Sequence, residues 1–251
     1  MGFYDLSKEE RDILVDKMQK EIETETKKDE FSKFLDYASN NDTYIRKKAY
    51  LIMARFFRDR LNYRDNVIHI INHLFDHDNE LVRQTMVNTL GEIGKTNAEI
   101  VFDLLEAAME DEHFKVRNAV MSSLKKMSKK NPEPTLAFAK QFLDHPDPRI
   151  RRQVVHGIEL RGRIHPEDVL PLLKEVQFET NKKVRETLIH VLGQISYKDG
   201  CLPKVLRDLK TWNNESLIKE ALNEIVSVHK NYDFSKYTNK EVQKLVENQF
   251  S

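Results

Sequence analysis

Six times along the chain a branched apolar residue is followed directly by a basic one: Ile45-Arg46, Val82-Arg83, Val116-Arg117, Ile150-Arg151, Val184-Arg185 and Ile218-Lys219. The intervals between the basic residues are 37, 34, 34, 34 and 34, so the chain repeats a unit of fixed length. Three residues after each basic position come Ala49, Met86, Val120, Val154, Leu188 and Leu222, and seven after it Met53, Leu90, Leu124, Ile158, Leu192 and Val226. With the preceding Ile or Val these make one apolar stripe at helical spacing, which predicts an amphipathic helix in every unit.

A second apolar stretch lies upstream of each such helix, as at 67–75, 100–109, 136–143, 169–176 and 202–209, so the unit is a helical hairpin. Four residues before each basic position stand Asp42, Asn79, His113, Asp147, Asn181 and Glu215. Four of the six are good helix N-caps, and Asn214 can serve in the last unit. Pro132, Pro134 and Pro166 fall where first helices should start, and His145-Pro146-Asp147-Pro148 reads as the turn of the fourth hairpin. A lone hairpin cannot bury its stripe and must stack on neighbours. The expected organisation is a single domain over 1–251: an N-terminal capping helix in 1–28 (apolar pattern 7–22), six repeats in 29–230, and a tail at 231–251 with a short helix near 238–248.

The segments Asp147-Pro148-Arg149-Ile150-Arg151 and Asn79-Glu80-Leu81-Val82-Arg83, with Leu90-Gly91-Glu92-Ile93-Gly94 and Leu192-Gly193-Gln194-Ile195 after their helices, resemble HEAT repeats of the PBS-lyase-HEAT-like kind. The resemblance covers roughly 29–230. It implies an all-α, right-handed α-α superhelix, an α-solenoid of about six hairpins with capping helices at both ends. It further implies a concave face lined by second helices and a ladder of inter-repeat hydrogen bonds made by the Asp/Asn and Arg positions, which makes the repeated arginines architectural. Residues 131–226 also resemble HEAT-type DNA-alkylation-repair proteins; the glycosylases of that class use tryptophans and an acid, and this chain has one tryptophan, Trp212. The His-Glu dipeptides of HEAT-built iron hydroxylases do not occur. Bilin lyases leave no short motif to test.

Composition narrows the partner. Lysine plus arginine equals aspartate plus glutamate at 41 each, so no whole-molecule field attracts nucleic acid or an anionic membrane. One cysteine, Cys201, leaves no internal disulfide, and the absence of an apolar leader or spanning run predicts a cytoplasmic protein with no membrane partner. No glycine-rich phosphate loop, nucleophile elbow or Cys-x-x-Cys pair occurs, so no cofactor is expected.

Positions one, five and nine after each repeat arginine point away from the apolar stripe and form the expected binding face. The candidates there are Lys47, Arg55, Gln84, Asn88, Asn118, Ser122, Arg152, His156 and His190, joined by Arg163 from a basic stretch at 149–165. A second basic stretch runs over 46–64. A protein segment held along this face is the first expectation; duplex DNA on the two basic stretches is the alternative. A third reading is acid-base chemistry by His156, His190 and Glu186, with an Arg152–Glu186 pair across repeats as its structural counterpart. No metal site is expected, because helix axes ~10 Å apart should separate the two imidazoles.

Overall fold

Five of the six second helices begin where an Asp or Asn side chain accepts from the otherwise unpaired first N–H groups. In the computed structural model, which describes residues 2–250, Asp42 caps α3 (Thr43–Asp59), Asn79 caps α5 (Glu80–Gly94), Asp147 caps α9 (Pro148–Gly157), Asn181 caps α12 (Lys182–Gln194) and Asn214 caps α14 (Glu215–Asn231). At α7 (Phe114–Lys130) the cap is His113, whose Nδ1 accepts from the Lys115 N–H at 3.3 Å. The first helices are α2 (Ser32–Ala38), α4 (Arg64–Phe75), α6 (Phe102–Met109), α8 (Pro132–Lys140), α11 (Pro166–Glu175) and α13 (Cys201–Leu209). Pro132 and Pro166 open their helices, where the missing N–H costs nothing. The flanking helices are α1 (Lys8–Thr26), with a Ser7–Glu10 capping box, and α15 (Asn239–Phe250).

The chain divides into two compact units, 1–123 and 124–251. In the first, α3 packs beside α5; in the second, α9, α12 and α14 lie side by side, as do α11 and α13. The stripe is the core: Ala49, Met53, Met86, Leu90, Val120, Leu124, Val154, Ile158, Leu188 and Leu192 are fully buried. Ile45, Ile218 and Val226 are only half-buried, and all three belong to the first or last repeat. Second helices approach closely enough to need glycine: a Cβ on Gly91 would lie 2.9 Å from the Ser123 Cα, and one on Gly157 2.7 Å from the Leu124 Cβ. At Gly157 the fourth second helix breaks, and its carbonyl accepts from Ser128 Oγ at 3.0 Å. The helix resumes as α10 (Glu159–Gly162).

The repeated arginines are architectural, in a pattern different from the implied ladder. Arg46, Arg83, Arg117 and Arg151 each donate Nη1 to the two carbonyls five and six residues upstream, closing the turn inside their own hairpin. The acids they meet in the next repeat are not the caps but residues two before them: Arg83 with Asp111 at 2.8 and 3.1 Å, Arg151 with Glu179 at 2.6 and 2.9 Å. Asp and Asn are spent on their own helix termini, so the carboxylates reaching across are Asp111 and Glu179, which also accept from the His113 and Asn181 N–H groups. Trp212 is buried, with Nε1 donating to Asp208 at 2.7 Å. Among the described residues no helix is long and apolar enough to cross a membrane.

Candidate functional site

The most concentrated chemistry lies in the second unit, where the helix break after Gly157 sets Glu159 between two helices. Glu159 is 1% exposed, and its carboxylate meets three donors. His156 Nε2 and Lys125 Nζ each stand 2.8 Å from Oε2, and Arg163 Nη2 pairs with Oε1. Arg163 Nη2 also donates to Gln194 Oε1 at 2.7 Å, and Gln194 Nε2 passes the network to the Tyr232 hydroxyl at 2.9 Å. Burial alone would push the Glu159 carboxyl up, but the hydrogen bonds from His156 and Lys125 and the charges of Lys125 and Arg163 outweigh it and hold the group at about 2. It is therefore an anion at neutral pH and a poor general acid.

His190, on α12, brings its ring edge-to-face with His156, centroids 5.7 Å apart. The separation expected from the spacing of helix axes does not hold: the axes are apart, but both imidazoles extend from facing sides and meet between them. Burial lowers the His190 pKa, opposed by the Glu159 charge, so its ring is neutral at pH 7. Its Nδ1 lies 3.8 Å from Glu224 Oε1. One donor atom each of His156, Glu159 and His190 lie within 4.8 Å of one another, and these three residues could hold a metal ion.

The expected Arg152–Glu186 pair does not form. Arg152 Nε donates to Thr187 Oγ1 at 3.1 Å, and Glu186, largely exposed, sits 3.9 Å from Lys182. The acid beside His156 is Glu159, one helical turn further on and absent from the sequence-based candidates. Its signal was a lone acid at i+3 from His156 and i−4 from Arg163, a spacing that places all three on one helical face.

In the first unit Lys47, Arg55 and Asn118 are exposed, whereas Gln84, Asn88 and Ser122 are half-buried. Gln84 is engaged within the fold, accepting from Arg46 Nη2 and donating to the Lys115 carbonyl, each at 3.4 Å, while Asn88 donates to the Gln84 carbonyl at 2.9 Å. The two basic stretches are mostly paired from within. Arg58 is bound to Asp59, Arg64 to the Phe57 carbonyl, Arg149 to Asp147, Arg151 to Glu179, Arg161 to Asp168 and Arg163 to Glu159. Lys47, Arg55, Arg60 and Arg152 are exposed and make no hydrogen bond or ion pair with a carboxylate among the described residues, although the charges of Arg55 and Arg60 reach Asp59.

A cavity of about 620 Å³ opens beside Arg163, lined by Tyr197, Cys201, Phe234 and Lys236 among others. The Arg163 guanidinium lies 5.6 Å from the Tyr197 ring centre, and burial pushes the Cys201 thiol up and keeps it protonated. The tail, whose placement the sequence leaves open, docks on its own unit: Phe234 stacks on Tyr232 at 4.9 Å, and Tyr237 faces His229 at 6.4 Å.

Residues 31–125 and 68–155 match the model of HEAT repeats. No curated protein matches the sequence significantly. Among solved structures, AlkD2 from Streptococcus mutans is similar over 90% of this chain and 99% of its own, at 17% identity and a TM-score of 0.50. The smu.31 protein from Streptococcus mutans UA159 covers 83% and 96% at 19% identity and TM-score 0.48. Kap95p, described in its binding to RanGDP, covers 86% of this chain and 32% of its own at 13% identity and TM-score 0.49. Likeness at such identities is likeness of fold. The matched repeats, the recurring caps and arginines and the stacked hairpins together place this chain among the HEAT-repeat proteins.

Proposed function

We propose that the chain is a non-catalytic binding module that holds a segment of a protein partner against the outward faces of its second helices. The observation that carries this reading is the internal pairing of the basic stretches. Most of the arginines that could track phosphates are already committed to carboxylates and carbonyls. What projects is a sparse set of exposed polar and cationic groups: Lys47, Arg55, Arg60 and Asn118 in the first unit and Arg152 in the second. Groups so few in each unit suit hydrogen bonding to a polypeptide with acidic side chains better than a polyanion, which gains affinity by many simultaneous phosphate contacts.

The test is a photo-crosslinking amino acid placed at Asn118 of the full chain in its source cells. The expected adducts are proteins, reduced in a Lys47→Glu, Arg152→Glu variant. Adducts with nucleic acid alone would sink the reading. Duplex DNA, the second reading, would rest on the exposed cations Lys47, Arg55 and Arg60 in the first unit and Arg152 in the second, and four phosphate contacts give a salt slope of only about −4.

A further inference from the structure

We propose that His156, Glu159 and His190 bind one divalent first-row transition ion, with zinc the best match to two imidazole nitrogens and a carboxylate oxygen. The three donor atoms come from adjacent repeats and already lie within 4.8 Å of one another. Ligands ~2.0–2.2 Å from a tetrahedral ion stand roughly 3.5 Å apart. Closing that gap asks for small torsions in two histidines that are 20% and 45% exposed, with Glu159 fixed at the centre. His156 Nδ1 is buried with no hydrogen-bond partner, so the protein leaves this ring incompletely used.

The surroundings supply what an outer shell needs. Metal-bound carboxylates and imidazoles are held by further hydrogen bonds. Arg163 pairs with Glu159 Oε1, and Glu224, 3.8 Å from His190 Nδ1, needs only a small shift to accept from that nitrogen and turn Nε2 toward the ion. His156 Nε2 also donates to Oε2 at 2.8 Å, a proton that must move to Nδ1 before Nε2 can bind an ion, and Lys125 is the second competitor, because its ammonium occupies Oε2 at 2.8 Å. The ion must displace it, and a flexible side chain 20% exposed can carry its charge outward to water. Three protein donors leave the fourth position of the ion to water. Hard ions such as magnesium prefer oxygen ligands and should ignore the site.

Calorimetric titration of the metal-stripped full chain with zinc chloride tests this, with magnesium chloride as control and circular dichroism to verify that each variant is folded. One equivalent of zinc should bind, and His190→Ala and His156→Ala should each weaken it by at least the ~10-fold seen for changes to outer-shell partners. Lys125→Met, which removes the competing cation, should tighten binding; ordinary surface binding would not respond in that direction. Cobalt substitution should give an intense visible absorption typical of a four-coordinate ion in the wild type and not in His190→Ala. No zinc uptake by the wild type, an affinity unchanged in both histidine variants, or no tightening in Lys125→Met would overturn the assignment.

Discussion

Replacing Glu159 by Gln should be among the most damaging conservative changes available in this chain. The carboxylate is 1% exposed and is the shared counter-charge for Lys125 and Arg163, whose side chains are 20% and 27% exposed. Its depression from 4.5 to about 2 is equivalent to about 3 kcal/mol of favourable interaction with the charged form. An amide of the same shape forfeits that and leaves two partly buried cations facing a neutral group, which puts the total at about 3–5 kcal/mol. The pH dependence identifies the cause. A group with a depressed folded pKa stabilises above its unfolded value and loses that stability as pH falls through the folded one. The difference between wild type and Glu159→Gln, measured by urea unfolding, should therefore be full at pH 7 and shrink steadily from about pH 5 toward pH 2. A variant within about 0.5 kcal/mol of wild type at pH 7, or a difference that does not shrink in acid, would refute the reasoning.

Other expectations follow the same physics. Arg83→Ala should cost about 2–4 kcal/mol in urea unfolding, because Arg83 closes its own turn and pairs with a largely buried Asp111; Arg152→Ala, which removes an exposed side chain, should stay within about 0.5 kcal/mol. Gly91→Ala should lower the unfolding midpoint, at a cost of about 1–3 kcal/mol, since the new methyl meets not only Ser123 Oγ but also its Cβ and, at 2.9 Å, its backbone Cα, which cannot swing away. Burial lowers the His229 pKa, so protonation opposes folding and stability falls as pH drops below the ordinary histidine value; in His229→Gln the fall between about pH 7 and pH 5 should be smaller.

The architecture was legible because each hairpin must state its own structure locally. An apolar stripe, a cap four residues before the arginine and a proline at the start of a first helix are short-range demands, and Asp42, Asn79, Asp147 and Asn181 meet them as read. Long-range polar pairing was less legible. Arg83 and Arg151 choose Asp111 and Glu179, which share one place in the repeat, but the equivalent residues in other units are His77 and His145, so no acid recurs there to mark it. Glu159 looked like a lone acid lost among arginines and is instead the charge that those cations surround. The histidines were recognised as equivalent positions in adjacent repeats, but the axis spacing concealed that their rings touch, because side chains on facing sides span most of the gap between helices. The exposed and internally paired members of the basic stretches could not be separated before their partners were known.

The central claim is that the outward faces of the second helices hold a protein segment and do not track phosphates. Titrating the full chain with a duplex at two salt concentrations tests it most directly. The account predicts weak binding with a log–log salt slope no steeper than about −4, the value set by Lys47, Arg55, Arg60 and Arg152. Tight binding with a slope of about −6 or steeper would require the internally paired arginines to release their carboxylates, and would contradict it.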